Sequence, residues 1–283
     1  MAIATFKDVF KTGQKRGAVG AFSTYDLFTA QGIMAGAERA GLPVIAMIGA
    51  PVLNKPGNEE IGEMMVKLAK QATVPVVVFL DHAKDFQTCM KAMRLGFSAV
   101  MVDGSHLSFA ENVELTKKVV EAARALGISV EGELGALAGV EDGEAVASAK
   151  MTNPLDVPRF AEATGVDALA ISIGNAHGLY NGEPKLDFEI LQHSAQLTET
   201  PLVLHGGTGI DQRQFAKAID LKIRKVNIGT EIKRAFMDKF AEMHAQNRSA
   251  YDLVGIPQAC KEAVAGVVEN NLRFFSDDWK KFL

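Results

Sequence analysis

Residues 75–83 read PVVVFLDHA, and this segment decides the fold class of the chain. Its apolar residues follow one another without polar alternation, which is typical of a strand buried on both faces of a parallel sheet. Pro75 precedes the run at a position where a missing backbone N–H costs little. The run ends in Asp81 and His82, so the segment predicts a buried strand whose carboxyl end carries reactive side chains.

The same unit, an apolar run followed by a stretch of helical spacing, occurs eight times. The predicted strands are AVGAF (18–22), PVIAM (43–47), VVVFL (76–80), AVMV (99–102), SVEGE (129–133), ALAISI (168–173), LVL (202–204) and KVNI (225–228). This alternation predicts an α/β fold, a single (β/α)8 TIM barrel over residues 1–283 with extra C-terminal helices. An open doubly wound sheet remains the alternative, because eight units do not prove closure.

The composition argues against several classes of partner and location. A net charge of -4 does not favour nucleic acid or an anionic membrane as a partner. No apolar run approaches the roughly 20 residues that span a bilayer, and the N-terminus has no signal-peptide pattern. Cys89 and Cys260 do not suggest a disulfide framework, so we expect a cytoplasmic protein.

Three of the six histidines come just after predicted strands, at the end of the barrel where this fold places its chemistry. They are His82, His177 and His205, after the third, sixth and seventh strands. One histidine at a strand end is more often a hydrogen-bonded loop residue, but three at equivalent positions favour a shared metal. Three imidazoles with an open fourth position are typical of a catalytic Zn²⁺ site.

Carboxylates occupy the same strand ends. Asp81, Asp103 and Glu133 are costly to bury unless they are paired or bind a cation, so we expect roles beside the metal. His106 has either a supporting or a structural role. Lys225 opens the eighth strand and no other strand contains a lysine, which argues against a Schiff-base mechanism.

Glycine-rich turns follow the last two strands, as HGGTG (205–209) and NIGT (227–230). Backbone N–H groups and a helix N-terminus bind phosphate at this place in many barrels, although ordinary strand-to-helix turns look similar. Residues 135–152 form the longest stretch without a predicted element, and their number is typical of an active-site lid.

Seven strings together resemble the class II ketose-bisphosphate aldolases, of the fructose- and tagatose-bisphosphate type. They occur in the family's order across nearly the whole chain: LDHA (80–83), VMVDGSH (100–106), EGELG (131–135), GVEDG (139–143), GNAHGLY (174–180), PLVLHGGTG (201–209) and KVNIGTE (225–231).

The resemblance implies a lyase of the aldehyde-lyase class that splits a phosphorylated ketose into dihydroxyacetone phosphate and an aldehyde. It implies one Zn²⁺ per subunit, with the three histidines as ligands and Asp103 and Glu133 near an alternative metal position. Asp81 would remove the proton from the C4 hydroxyl. Glu141, in the long loop, would exchange a proton with the C3 carbanion.

The resemblance also implies how the sugar phosphate is bound. Asn227 would contact the ketone-side oxygens, and a monovalent cation, Na⁺ or K⁺, would assist in some members. A homodimer or homotetramer is expected. The residues implied for the cradle of the C1 phosphate are Gly178, Gly206, Gly207, Thr208, Gly229 and Thr230.

Three positions depart from the family pattern and bear on the substrate. Ser23 replaces an asparagine after the first strand, and Gly229 replaces an aspartate after the eighth. Val254 stands where many members carry an arginine that holds the second phosphate in a neighbouring subunit's site; Arg248 is a candidate replacement.

We therefore hypothesise a conventional dihydroxyacetone phosphate half and an unconventional far end, as in sulfofructose 1-phosphate. Fructose or tagatose 1,6-bisphosphate is the alternative. The rival classes are a zinc hydrolase on the same barrel, a sugar-phosphate-binding protein without activity, and a phosphosugar isomerase or epimerase.

Overall fold

The computed structural model describes residues 3–141, 144–146, 150–178, 180, 182–249 and 251–283, with only the backbone of residues 12–16, 138, 140, 141 and 144–146. Within these ranges no helix combines the length and apolarity needed to cross a membrane. The described strands are β1 (Val19–Ser23), β2 (Val44–Gly49), β3 (Val76–Ala83), β4 (Ala99–Val102), β5 (Ser129–Leu134), β6 (Ala138–Glu141), β7 (Glu144–Val146), β8 (Ala168–Ile171), β9 (Ala176–His177), β10 (Leu202–Leu204) and β11 (Ile223–Ile228).

Helices alternate with the barrel strands. They are α1 (Phe6–Arg16), α2 (Leu27–Ala40), α3 (Ala50–Leu53), α4 (Glu59–Gln71), α5 (Phe86–Leu95), α6 (Phe109–Ala125), α7 (Asp156–Thr164), α8 (Phe188–Leu197), α9 (Gln212–Asp220), α10 (Thr230–Gln246) and α11 (Gly255–Ser276), followed by a 3-10 helix, Asp278–Phe282.

Eight parallel strands close into a barrel in the order β1-β11-β10-β8-β5-β4-β3-β2. The closing pair is β1 with β11, in which Val19 pairs with Lys225 and Phe22 with Ile228. The predicted (β/α)8 barrel is therefore confirmed, and the open sheet is excluded. All eight predicted runs overlap barrel strands, with ends displaced by up to three residues.

Apolar side chains fill the barrel and close its amino end. Phe6 and Phe10 of α1 belong to the inner cluster with Met47, Phe79 and Met101, and all five are buried. A second cluster lies between the barrel and the helices. Polar side chains thus gather at the carboxyl end, where this fold places active sites.

The predicted C-terminal helices are present, and α11 packs closely on α2. A Cβ added to Gly36 of α2 would lie 2.5 Å from the carbonyl oxygen of Ala265. Only glycine permits this approach, because any side chain there would overlap the backbone of α11.

The expectation that residues 135–152 lack regular structure is wrong for part of that stretch. Strands β6 and β7 form an antiparallel pair, and β6 also pairs in parallel with β9. Gly139 of β6 aligns with His177 of β9. Strand β9 lies outside this stretch, so residues 135–152 alone could not reveal its pairing with β6.

The expectation that strand interiors contain no lysine is also wrong. Strand β11 begins at Ile223, two residues earlier than predicted, so Lys225 lies inside the barrel and is fully buried. Its charge faces Glu131 of β5, with Nζ 2.9 Å from Oε2. A buried lysine is tolerated where a carboxylate pairs with it, and that pairing cannot be read from the sequence.

Candidate active site

The three predicted histidines meet above the barrel. The centroid of the His82 ring lies 4.9 Å from that of His177 and 4.7 Å from that of His205. Each ring offers one nitrogen, and the three nitrogens lie within 4.8 Å of one another. Nitrogen ligands of a tetrahedral zinc ion are roughly 3.3 Å apart, so small side-chain movements suffice to share one ion.

His82 is held in a strained backbone conformation. Its φ angle is +50°, in the left-handed region, and the pairing of β3 with β4 is interrupted between Leu80 and Ala83. Such a conformation costs about 1–3 kcal/mol for a residue other than glycine and is typical of functional positions. The irregularity ends the regular strand pairing at the residue where the ring must turn into the site.

The hydrogen bonds of two rings fit a bound cation. His82 Nδ1 lies 3.1 Å from Asp103 Oδ2, and His205 Nε2 lies 2.8 Å from Glu131 Oε1. If both rings donate outward to these carboxylates, His82 Nε2 and His205 Nδ1 face each other with lone pairs, 2.9 Å apart. Two lone pairs repel at this distance, and a cation shared between them converts the repulsion into two bonds.

Asp103 and Glu133 form a second group with His82 that has the geometry to hold a metal ion. Glu133 Oε2 is buried, has no hydrogen-bond partner in the described part of the chain, and lies 3.7 Å from His82 Nδ1. The Nδ1 atom of His82 faces Asp103 and Glu133, whereas its Nε2 atom faces His205, so the two groups lie on different sides of the ring. The structure therefore brings together the residues predicted for an alternative metal position.

The pKa values of the two acids near His82 are shifted in opposite directions. Burial opposes the ionisation of Asp103, but hydrogen bonds from His82 and Ser105 hold its pKa well below the usual range. Burial, reinforced by the neighbouring charge of Asp103, raises the pKa of Glu133 well above its usual value. Carboxyls with such different environments are typical of functional sites.

Asp81 lies at the end of β3 and is 2% exposed. The Nδ2 group of Asn227 donates to its two oxygens at 3.3 and 3.4 Å. Asn227 Oδ1 is buried without a hydrogen-bond partner among the described residues, so this amide can accept a further hydrogen bond. Asp81 also groups with Glu131 and His205 within 4.8 Å, which places its carboxylate beside the histidines.

A family model of class-II fructose-bisphosphate aldolases matches residues 4–280 of the chain. This chain belongs to that family. It is an aldolase, and therefore a lyase.

Named relatives of this aldolase differ in their substrates. A sulfofructosephosphate aldolase from Alkalicoccus urumqiensis is 39% identical over 283 residues, and a fructose-bisphosphate aldolase from Geobacillus stearothermophilus is 37% identical over 284 residues; each match covers 99% of both proteins. The crystal structure of the YdjI aldolase from Escherichia coli K12 has a TM-score of 0.86 and 32% identity, and covers 99% of both chains.

The residues expected to bind phosphate in the aldolase lie at the ends of β10 and β11 and in the loop after β9. Gly178 and Gly206 have φ angles of +84° and +62° and adjoin His177 and His205. Gly229 and Thr230 begin α10. The N–H of Gly207 is donated to the carbonyl of Asn227 at 2.9 Å, so this group is committed within the fold.

Thr208 is likewise engaged with its surroundings. Its Oγ1 accepts from the N–H of Glu231 at 3.2 Å, which leaves the hydroxyl hydrogen as a donor. Gly207 and Thr208 line a separate cavity of about 500 Å³, together with Glu231 and Arg234. Gly207 and Thr208 are not among the residues that line the histidine cavity, although all lie at one end of the barrel.

The histidine cavity has a volume of about 330 Å³. Asp81, His82 and His177 line it, and so do Lys84, Ser105 and His106. Lys84 and Ser105 were not predicted from the sequence, although both lie within two residues of a predicted site residue. Neither residue type is among the usual zinc ligands, so a pattern of zinc ligands does not include them.

Other predicted positions lie away from this cavity or outside the described residues. The side chain of Glu141 is outside them, while its backbone ends β6. Ser23 is buried at the end of β1. Val254 is 76% exposed before α11, and Arg248 is exposed in the segment between α10 and α11.

A buried chain of polar contacts supports His205 from inside the barrel. Glu131 accepts from His205 and from Lys225, whose Nζ lies 3.0 Å from Oε1. The ammonium also lies 4.3 Å from the centroid of the Phe79 ring. Burial raises the pKa of Glu131, and the charge of Lys225 opposes that shift.

Replacing Lys225 with Met is expected to lower the free energy of unfolding by about 3–5 kcal/mol, because it leaves the buried carboxylate of Glu131 without its cationic counter-ion. The double variant Lys225→Met/Glu131→Leu should recover most of this loss. Urea denaturation of the metal-free proteins, followed by circular dichroism, measures both. Lys118→Met, which breaks the exposed pair with Glu114, is the control and should change stability by about 0.5 kcal/mol or less. Equal losses in the single and double variants would contradict the pairing.

Proposed function

We propose that residues 1–283 form one catalytic domain that reversibly cleaves a ketose 1-phosphate into dihydroxyacetone phosphate and an aldehyde. We propose that the ion is Zn²⁺, held by His82, His177 and His205. The observation that carries the proposal is the convergence of three imidazole nitrogens within 4.8 Å, beside the buried carboxylate of Asp81. Three neutral nitrogen ligands with room for substrate suit a catalytic zinc ion.

The bond changes assign a task to each residue. Asp81 takes the proton of the C4 hydroxyl, and the electrons of that O–H bond form the C4=O of the aldehyde. The C3–C4 bond breaks, and its electron pair moves to C3, next to the C2 carbonyl. Bound Zn²⁺ supplies Lewis-acid stabilisation of the negative charge that develops there. Glu141 then supplies the proton that completes dihydroxyacetone phosphate.

The surroundings of Asp81 suit this task. Asn227 holds the carboxylate by its amide N–H, at 3.3 and 3.4 Å, and leaves its own carbonyl oxygen to accept from a substrate hydroxyl. One amide can therefore orient both the base and the substrate. Strand β6, which ends at Glu141, pairs with β9 beside His177, so this acid lies on a segment docked against the proposed metal loop.

Asp81→Asn should lower kcat by about 10²–10⁴-fold, because an amide cannot accept the C4 proton, while Zn²⁺ content stays at that of wild type. A coupled assay for dihydroxyacetone phosphate and metal analysis measure the two quantities. The control is Asp238→Asn, the same change at an exposed position of α10. Full activity in Asp81→Asn would contradict the role of Asp81 as the general base. A wild-type protein that interconverts sugar phosphates without releasing dihydroxyacetone phosphate would favour an isomerase.

The barrel order supports a location for the far end of the substrate. In the closed order, β10 lies opposite β3 and β11 lies opposite β4. A ketose with its C1 phosphate at the ends of β10 and β11 therefore extends across the mouth towards Lys84 and His106, which follow β3 and β4 and line the histidine cavity. These side chains suit an anionic far end.

We propose that the far-end group is an anion other than phosphate, with sulfonate as the leading example. Val254 stands where the family's second-phosphate arginine is expected and is an exposed apolar residue. A relative at 39% identity is named a sulfofructosephosphate aldolase. A sulfonate has the same three-oxygen shape as a phosphate but carries one negative charge, so a single lysine can balance it.

Steady-state kinetics should give the highest kcat/KM for sulfofructose 1-phosphate among fructose 1-phosphate, fructose 1,6-bisphosphate and tagatose 1,6-bisphosphate. Lys84→Gln should lower kcat/KM for the sulfonate about tenfold, as for loss of a hydrogen bond to a charged group, and leave fructose 1-phosphate unchanged. The control is Lys67→Gln, an exposed lysine of α4. A higher kcat/KM for either bisphosphate would contradict the proposal of a sulfonate substrate and indicate a conventional bisphosphate aldolase.

We propose a homodimer or homotetramer, supported by the exposed apolar residues Tyr251, Leu253 and Val254, which lie together between α10 and α11. A monovalent cation, Na⁺ or K⁺, assists phosphate binding. The enzyme acts in the cytoplasm, binds a small sugar phosphate, and has neither nucleic acid nor membrane as a partner.

A further inference from the structure

We infer that Asn175 and Tyr180 are positioning residues that set both the spacing of two proposed zinc ligands and the orientation of a phosphate-binding peptide group. We call these two side chains, with the carbonyls they hold, the clasp. The inference rests on the proposed function, because it concerns the metal and the C1 phosphate. Neither side chain needs to contact the metal or the substrate.

The clasp joins the loops that carry His177 and His205. Asn175 Nδ2 donates to the carbonyl oxygen of His205 at 3.0 Å. The Tyr180 hydroxyl donates to the carbonyl oxygen of Gly206 at 2.9 Å and accepts from the N–H of Ala176, also at 2.9 Å. Two consecutive carbonyls after β10 are therefore held by the loop that contains His177.

Asn175 is itself fixed. Its Oδ1 accepts from the N–H of Ile173 at 2.8 Å, and the residue is 1% exposed. Burial raises the pKa of Tyr180, so its hydroxyl keeps the proton that it donates. Both side chains are thus anchored at the β8 side before they reach across to β10.

The backbones approach closely at the clasp. Gly206 has a φ angle of +62°, and a Cβ added there would lie 2.0 Å from the carbonyl oxygen of Ala176. Ala176 precedes His177, and Gly206 follows His205. The hydrogen bonds of Tyr180 therefore act one residue away from each ligand, where a small displacement changes the separation of the two imidazoles.

The clasp also determines which way two peptide groups point. A trans peptide directs its N–H opposite to its C=O. Because Asn175 holds the carbonyl of His205, the N–H of Gly206 points away from Asn175. The next peptide is fixed at both ends, by Tyr180 at the Gly206 carbonyl and by Asn227 at the Gly207 N–H. These contacts therefore fix the direction of the Gly206 N–H before any phosphate binds.

The test uses Tyr180→Phe, which removes one oxygen atom and both of its hydrogen bonds. Zn²⁺ affinity is measured at 25 °C by competition with a chromophoric chelator, after circular dichroism shows the protein to be folded. The expected Kd for Zn²⁺ is about 10–100-fold weaker than in wild type, the usual effect of removing a residue that orients a metal ligand. Tyr251→Phe, the same change at a residue that is 79% exposed, should leave the Kd unchanged.

The second variant, Asn175→Ala, tests whether Asn175 orients the peptide group between His205 and Gly206. Isothermal titration of the zinc-saturated protein with inorganic phosphate should show binding about tenfold weaker than in wild type, as expected when one hydrogen bond to an anion is misdirected. Zinc saturation removes any contribution from metal loss. If Asn175→Ala does not fold, the same titration on Tyr180→Phe takes its place with the same expectation.

The outcomes separate this inference from the proposed function. Zn²⁺ and phosphate affinities within twofold of wild type in both variants would overturn the clasp and leave the aldolase site intact. A wild-type protein that binds neither Zn²⁺ nor phosphate would overturn the proposed site itself. Weakened Zn²⁺ binding in folded Tyr180→Phe, with an unchanged Tyr251→Phe, supports the clasp, because a purely structural hydroxyl would not alter the affinity of the folded protein.

Discussion

The site depends on how two buried imidazoles are oriented by the carboxylates behind them. Asp103 lies behind His82 and Glu131 behind His205, so the remaining nitrogens point at each other, 2.9 Å apart. If both rings donate to these carboxylates, the facing nitrogens both carry lone pairs, which is unfavourable without a cation and favourable for two ligands of one ion. The strained φ angle of His82 is tolerated because the surrounding barrel fixes the residue on several sides.

The barrel explains why such different residues meet. Closed parallel strands bring the carboxyl ends of β3, β4, β5, β10 and β11 to one rim, while α1 seals the other end with phenylalanines. Polar side chains that would be costly to bury in the core therefore lie at the carboxyl-terminal rim. Lys225 and Glu131 are the exception below the rim, and their pairing links the core to His205.

Local patterns predicted most of the fold but only part of the site. Eight short runs, most of them rich in Val, Ile and Leu, located all eight barrel strands, and strand ends predicted the three histidines, Asp81, Asp103 and Glu133. Features that depend on distant pairing were not predictable: β6 gains its partner from β9, and Lys225 gains a counter-ion from β5. Lys84, Asn175 and Tyr180 were not predicted either, because their positions matter through cavity shape or carbonyl contacts rather than through residue type.

Anomalous diffraction tests directly whether the three histidines share one ion. Crystals of fully active protein, measured on either side of the zinc absorption edge, should show one anomalous peak per chain, bounded by His82 Nε2, His205 Nδ1 and the ring of His177. A peak between His82, Asp103 and Glu133 would be the alternative position of the same ion. No peak at either place in fully active protein would contradict the account.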